Sequence, residues 1–234
     1  MTRTRAVGGP LERASRALLR DAARSLARLE TRCARPLAEA VEAVVAALES
    51  GGTVYFCGNG GSAADAQHLA AELSGRYLLD RPSLPAVALS TNVSAVTAIG
   101  NDFGFEQVFS RQLEGVGTPG DVLVAITTSG ASPNVLRAVE TARARGMVVI
   151  GLTGAKGAGF AARCDVALVT PSAATPRIQE GHIAMGHALC ELVERALFPR
   201  GGAPRPARRA RAAGARRAPA ARRRAPARGG GRGR

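Results

Sequence analysis

The chain has 234 residues, of which 46% are hydrophobic, so it can bury a sizeable core and is not disordered throughout. It has no tryptophan and 3% aromatic residues, which argues against a nucleic-acid module that works by base stacking. The formal charge of +14 is concentrated in residues 200–234, which hold 13 arginines and no acidic residue, leaving +1 for residues 1–199.

Two further absences narrow the class of protein. No apolar run approaches the ~18–20 residues of a membrane span, and the N-terminus lacks the apolar core of a signal peptide. The four cysteines form no CxxC pair. We therefore expect a cytoplasmic protein without membrane association, whose thiols are buried and reduced.

The first 50 residues predict a pair of helices. Leucine and alanine recur at helical spacing over residues 10–31, and the pattern resumes over residues 37–48 after Pro36. Glycines at 51 and 52 end it. We expect residues 1–50 to serve in packing and dimerisation.

Residues 51–199 alternate short apolar runs with longer amphipathic stretches, which is typical of one α/β domain. The runs predict five buried strands: Val54–Cys57, Ala86–Leu89, Val122–Ile126, Val148–Leu152 and Val166–Val169. Helices are predicted near 63–78, 104–116, 133–145 and 177–197, with shorter ones near 94–99 and 157–163. Strands separated by helices indicate a five-stranded parallel sheet flanked by helices on both faces, a three-layer sandwich.

Residues 200–234 consist of Arg, Ala, Gly and Pro without a period, so we expect a disordered tail. A flexible polycation predicts weak nucleic-acid binding without sequence preference. The alternative is compositional drift in an arginine-rich chain, with no role for the tail.

The loop after the first predicted strand reads Gly58-Asn59-Gly60-Gly61-Ser62. Glycines allow close backbone approach to a ligand, and the following helix N-terminus favours an anion, with Ser62 as the expected N-cap. The stretch fits a loose GxGxxA, but no acidic residue ends a second strand about twenty positions on, which disfavours a dinucleotide site.

The loop after the third predicted strand is rich in hydroxyl groups. It reads Thr127-Thr128-Ser129-Gly130-Ala131-Ser132, and Pro133 follows, which makes Ser132 the expected N-cap. Hydroxyls at a helix N-terminus suit the phosphate of a small metabolite. An ordinary capped turn is the alternative for this loop taken alone.

The three histidines add a second kind of chemistry. His68 and Glu72 lie four apart on one helix face, as half of a metal site, a base with its partner, or an exposed pair. Gln179 and His187 lie eight apart, so on one helix they are separated by ~12 Å and ~80°. They would meet at one ion only by stretching or by serving different subunits. Spacing alone does not establish a metal, and His182 is expected to pack or make a structural hydrogen bond.

Four strings occur in the order and spacing of one family: CGNGGSAADAQHLAAELSGRY, AIGNDFGF, ITTSGASPNV and RIQEGHIAMGH. With them the chain resembles the phosphoheptose isomerases of the flavodoxin-like sugar-isomerase (SIS) fold, from the second predicted helix to Phe198. The resemblance implies conversion of sedoheptulose 7-phosphate, a phosphorylated seven-carbon sugar, to D-glycero-D-manno-heptose 7-phosphate in bacterial heptose biosynthesis. It also implies a homotetramer with one zinc ion per subunit.

The resemblance assigns roles to individual residues. The zinc ligands of the family fall on His68, Glu72, Gln179 and His187. Glu72 and His187 resemble its acid/base pair. Glu72 and Gln179 also correspond to substrate contacts of the family. Its other substrate contacts correspond to Asn59, Gly60, Gly61, Asn101, Asp102, Thr127, Thr128, Ser129 and Ser132.

Two other functions are compatible with these motifs. The initiator-associating protein that binds DnaA is a non-catalytic relative, and residues 81–86 and 197–199 resemble it. That protein retains the equivalents of His68 and Gln179 but lacks those of Glu72 and His187, so the presence of both favours an enzyme. An isomerase of another phosphosugar is the third possibility, because the loops do not specify the number of carbons.

Overall fold

The computed structural model describes residues 9–199, so the tail predicted over 200–234 lies outside the described residues. Their strands are β1 (Val54–Gly58), β2 (Ala86–Ala88), β3 (Val122–Ile126), β4 (Val148–Gly154) and β5 (Val166–Thr170). Their helices are α1 (Pro10–Glu49), α2 (Gly61–Ser74), α3 (Val93–Phe103), α4 (Ser110–Val116), α5 (Pro133–Ala144), α6 (Ala158–Ala161) and α7 (Thr175–Leu197). The predicted strands are confirmed with small differences at their ends.

All five strands are parallel and lie in the order β2-β1-β3-β4-β5. Every residue of β1 and β3 is buried, as expected of strands covered on both faces. The chain adds β2 on one side of β1 and β3 on the other. Ligands of such sheets bind at this switch point, outside the carboxyl ends of the strands.

Helices cover both faces of the sheet, which confirms the three-layer architecture. Side chains of β1 alternate between the two cores: Val54 and Phe56 enter one, Tyr55 and Cys57 the other. The first core is completed by α1, α2 and α7, and the second mainly by α4, α5 and α6. Thus α2 and α7, the helices that carry the predicted metal ligands, share one face. None of the helices within residues 9–199 is both long and apolar enough to cross a membrane.

The expected pair of N-terminal helices is wrong, because α1 is a single helix of 40 residues with Pro36 inside it. A proline in a helix leaves the carbonyl four residues earlier without its partner. Here that carbonyl belongs to Arg32, an exposed residue, so water can satisfy it. Packing also supports the continuous helix, because α1 has buried residues on both sides of the proline, among them Cys33 and Ala40.

Helix boundaries differ where tertiary contacts decide them. Gly60, at φ 55°, is the N-cap of α2, and the expected cap Ser62 lies buried within the first turn. The predicted helix over 104–116 is a 3₁₀ turn, Phe105–Gln107, followed by α4. Helix α2 ends at Ser74, four residues before its predicted end at 78, and the segment after it turns back to α7.

Candidate active site

Two loops lie side by side at the carboxyl ends of β1 and β3: the glycine loop (residues 58–61) and the hydroxyl loop (residues 127–132). A reciprocal amide pair joins them. Asn59 Nδ2 donates to Asn134 Oδ1, and Asn134 Nδ2 donates to Asn59 Oδ1, both at 2.8 Å. Asn134 also accepts a bond from the Val135 N–H at 3.0 Å, so the pair fixes the glycine loop to the start of α5.

The hydroxyl loop holds its shape through its own side chains. Thr127 Oγ1 lies 3.1 Å from Ser132 Oγ and accepts from the Gly130 N–H, while Ser129 Oγ accepts from the Ala131 N–H. Ser132 is the N-cap residue of α5, as predicted, but its hydroxyl does not cap the helix. Gly130 has φ +71°, and a Cβ there would lie 2.7 Å from Gly157 Cα, so only glycine fits this turn.

The second feature of the site is a group of side chains between α2 and α7. His68 Nε2 lies 2.8 Å from His187 Nε2, and Glu72 Oε1 lies 3.4 Å from the same His68 nitrogen. The side chains of His68 and Glu72 are 45% and 22% exposed, so a substrate can reach them. The structure therefore brings together three of the four residues predicted to bind metal.

These side chains fit a zinc ion by their donor chemistry. At 2.8 Å, two facing imidazole nitrogens need a proton or a cation between them. Nitrogens that bind one tetrahedral zinc lie about 3.3 Å apart, slightly more than here. As they stand, no three His, Cys, Asp or Glu side chains within residues 9–199 are arranged to hold a metal. The histidine pair with Glu72 comes near such an arrangement.

Gln179, the fourth predicted ligand, lies near the start of α7, where that helix faces the first turn of α2. Its Nε2 would be 2.2 Å from a Cβ at Gly61, which places the amide over the first turn of α2. His187, in contrast, lies beside His68, which is about 10 Å further along α2 than Gly61. Gln179 therefore lies at the glycine loop, about two turns from the histidine pair.

The remaining predicted residues, Asn101 and Asp102, lie exposed on the last turn of α3. Asn101 Nδ2 donates to Asp102 Oδ1 at 2.8 Å. Within the described residues, no hydrogen bond joins this pair to either loop or to the histidine pair. Within residues 9–199 the structure thus shows no polar contact between this pair and the rest of the predicted site.

The structure adds three residues that the sequence did not single out: Asp65, Tyr77 and Asn134. Burial raises the pKa of Asp65, while the charges of His68 and His187 act in the opposite direction. The Tyr77 ring lies 5.7 Å from that of His187. The spacing of Asp65, three residues before His68, could have indicated it, but the contacts of the other two arise only on folding.

The third histidine, His182, is fully buried on α7. Neither ring nitrogen has a hydrogen-bond partner within the described residues. Burial lowers the pKa of His182 to about 4, and the nearby Thr153 backbone only partly opposes this shift. His182 is therefore a neutral core residue, consistent with the expectation that it packs.

Comparison with known proteins connects this site to one family. Residues 18–154, more than half of the chain, match the family model described as SIS domain. The chain is 61% identical over 165 residues to a phosphoheptose isomerase of Rhodospirillum rubrum, covering 70% of this chain and 88% of that protein. It is 51% identical over 171 residues to one of Trichlorobacter lovleyi, covering 73% and 87%.

Solved structures give the same result. The phosphoheptose isomerase GmhA from Neisseria gonorrhoeae superposes with a TM-score of 0.74 at 45% identity, covering 79% of this chain and 98% of that one. A phosphoheptose isomerase from Francisella tularensis gives a TM-score of 0.76 at 36% identity, covering 80% and 99%. The similarity extends over nearly the whole length of both solved chains.

The burial of His182 predicts a pH dependence of stability. Its folded-state pKa of about 4 lies below the ordinary 6.5, so between these values the unfolded chain binds more protons. The contribution is present above pH 6.5 and is lost as the pH falls toward 4, with about 2 kcal/mol lost between pH 7 and 5. Urea unfolding at fixed protein concentration measures it. His182→Gln should show a smaller loss, and equal losses in both proteins would contradict the prediction.

Proposed function

The chain belongs to the phosphoheptose isomerase family of SIS-domain proteins, and from this premise we propose how its residues act. It is an isomerase that converts sedoheptulose 7-phosphate to D-glycero-D-manno-heptose 7-phosphate in heptose biosynthesis. The observation that carries this function is that three side chains converge between two helices. His68 and Glu72 lie on α2, which follows the glycine loop, and His187 lies on α7. The initiator-binding alternative receives no support from the relatives.

We propose that the hydroxyl loop binds the phosphate of the sugar. The hydroxyls of Thr127, Thr128, Ser129 and Ser132 lie at the start of α5, where helix N–H groups favour an anion. Asn59, Gly60 and Gly61 would contact the sugar beside it, together with Gln179, which lies over Gly61. Asn101 and Asp102 would complete the substrate contacts from α3.

The reaction needs a base that serves two adjacent carbons. Converting the ketose to the aldose removes a proton from C1 and delivers one to C2, while the hydroxyl proton moves from O1 to O2. We propose that the Glu72 carboxylate carries the proton between the carbons and that His187 acts as the acid at the oxygens. Both side chains point into the same space between α2 and α7, as this division of roles requires.

We propose one zinc ion per subunit, held by His68, Glu72, Gln179 and His187. When bound, zinc supplies positive charge that stabilises negative charge on a sugar oxygen. The support is the pair of imidazole nitrogens at 2.8 Å with a carboxylate beside them, a donor set that zinc accepts. The Gln179 amide would reach the ion by a change of rotamer or from another subunit.

We propose that the protein assembles as a homotetramer, with a dimer as the alternative. The first half of α1 exposes Leu11, Leu18 and Leu19 by 82%, 65% and 71%. One helix seldom leaves so much apolar surface to water unless a partner covers it. A second copy of the chain is the simplest partner, because closed symmetric assemblies are the common form of soluble oligomers.

A cytoplasmic location completes the proposal. All four cysteines are free thiols, three of them buried, as expected in a reducing compartment. Burial raises the pKa of both Cys57 and Cys190 to about 12, so these thiols stay protonated and unreactive.

The base assignment predicts the behaviour of Glu72→Gln. The amide keeps the shape of the side chain but cannot accept the proton, so turnover of sedoheptulose 7-phosphate should fall by ~10²–10⁴ while the fold is retained. Formation of the heptose 7-phosphate measures turnover, and circular dichroism checks the fold.

The matched control is Glu140→Gln on α5. It removes an exposed ion pair with Arg163 and should leave turnover unchanged. Near-normal turnover in Glu72→Gln would exclude Glu72 as the base. If the unmodified protein showed no turnover, the proposed function itself would be wrong.

The metal proposal predicts about one zinc per chain by elemental analysis. The double variant His68→Ala, His187→Ala removes both nitrogen donors and should lose the zinc, because carboxylate and amide oxygens alone bind it weakly. His182→Gln, which changes a histidine of the same helix outside the pair, should keep it. Full activity in metal-free protein would contradict the proposal.

The assembly proposal predicts a mass of about four times the 24.0 kDa chain by light scattering at micromolar concentration. Leu18→Glu with Leu19→Glu places two charges in the contact surface, so this double variant should dissociate into smaller species. An active monomer of the unmodified protein would refute the proposal.

A further inference from the structure

A buried ion pair joins α7 to the segment that follows α2. Arg81 Nε donates to Glu194 Oε1 at 2.8 Å, and the two side chains are 0% and 1% exposed. Neither residue belongs to the site described above. We call this pair, with its hydrogen bonds to the backbone, the Arg81–Glu194 clamp.

Glu194 binds the segment that follows α2. Its carboxylate accepts hydrogen bonds from the N–H groups of Tyr77, Leu78 and Leu79 at 2.8–3.0 Å. Burial alone would raise the pKa of Glu194, but these N–H groups and the Arg81 charge outweigh it and hold the pKa below its ordinary value. Glu194 is therefore a fixed anion that ties this segment to α7.

Arg81 binds the end of α2 itself. Its Nη2 donates to the Glu72 carbonyl at 2.8 Å, and its Nη1 donates to the Leu73 carbonyl at 2.8 Å. Nη1 also reaches the carbonyls of Gly75 and Pro82. The last carbonyls of a helix have no partner within it, so Arg81 acts as the cap of α2. The backbone of the proposed base is thus one of the groups that the guanidinium holds.

The clamp therefore connects the two sides of the active site. Glu72 lies on the turn that Arg81 caps, and Glu194 lies seven residues after His187, two turns along the same face of α7. A shift between α2 and α7 would change the distance from Glu72 and His68 to His187. The clamp opposes that shift with a charge pair from which water is excluded.

Stability alone is a weak reason to keep such a pair. Burying two charges costs several kcal/mol of desolvation, and well-packed apolar residues are often as stabilising or more so. An ion pair with directional hydrogen bonds differs from apolar packing in fixing one geometry. A planar guanidinium with five donors, here shared between a carboxylate and backbone carbonyls, is suited to that task.

We propose that Arg81 and Glu194 are positioning residues for the isomerisation, which hold Glu72 at its working distance from His187. This proposal rests on the proposed function. It differs from a structural role in its kinetic signature. The loops proposed to bind the sugar phosphate lie at the ends of β1 and β3, outside the clamp, so loss of the clamp should lower kcat and leave KM nearly unchanged.

Two variants test the clamp. Glu194→Gln keeps the size of the side chain and removes the charge that Arg81 needs, whereas Arg81→Lys keeps a cation and removes the fork that holds the α2 carbonyls. In folded protein, well below the unfolding temperature, we expect kcat to fall by ~10- to 100-fold, because displacements near 1 Å have effects of this size. KM should change by less than about threefold.

The matched control is Glu191→Gln, one turn earlier on α7. It removes an exposed pair with Arg195 and should preserve both constants. Folded variants with a lower unfolding temperature and an unchanged kcat would overturn the proposal, as would failure of both variants to fold, which would assign the pair to stability alone. An unmodified protein without isomerase activity would instead refute the proposed function.

Discussion

The close packing of α2 against α7 is the constraint on which the site depends. A Cβ at Gly186 would lie 2.6 Å from Leu69 Cδ1, so the absent side chain lets the helices approach. The next residue is His187, and the residue before Leu69 is His68, whose nitrogens lie 2.8 Å apart. Gly181 plays the same part against β5, where a Cβ would lie 2.5 Å from Thr170 Oγ1. Glycine destabilises a helix relative to alanine, but at these two positions it allows close contact with the neighbouring element.

The sheet supplies the other half of the site by placing two loops together. Parallel pairing of β1 with β3 brings the glycine loop and the hydroxyl loop to one edge, although many residues separate them in the chain. Backbone pairing of the two strands ends at this edge. Beyond it, two hydrogen bonds between the side-chain amides of Asn59 and Asn134 hold the loops together. Asn134 is only 2% exposed, and its buried amide is acceptable because its oxygen and nitrogen both have partners.

The sequence predicted the parts of this structure that local patterns determine. The strand runs are continuous and apolar, so all five were found. The expectation that all five are buried is wrong for the edge strands β2 and β5, which are only partly buried because each has one neighbouring strand. The pair of His68 and Glu72 was visible because i, i+4 spacing defines one helix face. His187 lies 119 residues from His68, and no spacing rule reports such a contact. The end of α2 at Ser74 and the passage of α1 through Pro36 were mispredicted, because the bonds of Arg81 and the hydration of an exposed carbonyl are decided by tertiary structure.

Glu72 on α2 and Glu194 on α7 show how environment can separate the proposed roles of two residues of the same type. The Glu194 carboxylate accepts from three backbone N–H groups and from Arg81, so its lone pairs are occupied and it is closed to solvent. The Glu72 carboxylate lies 3.4 Å from the Nε2 atom of His68 and stays 22% exposed. A group that must take a proton from carbon and return it needs at least some of its lone pairs free to face the substrate. A group that must fix geometry needs them filled. Under the proposed roles, one residue type meets both needs. Arg81 links the two residues, because it binds the carboxylate of Glu194 by its charge and the backbone carbonyl of Glu72 by a hydrogen bond.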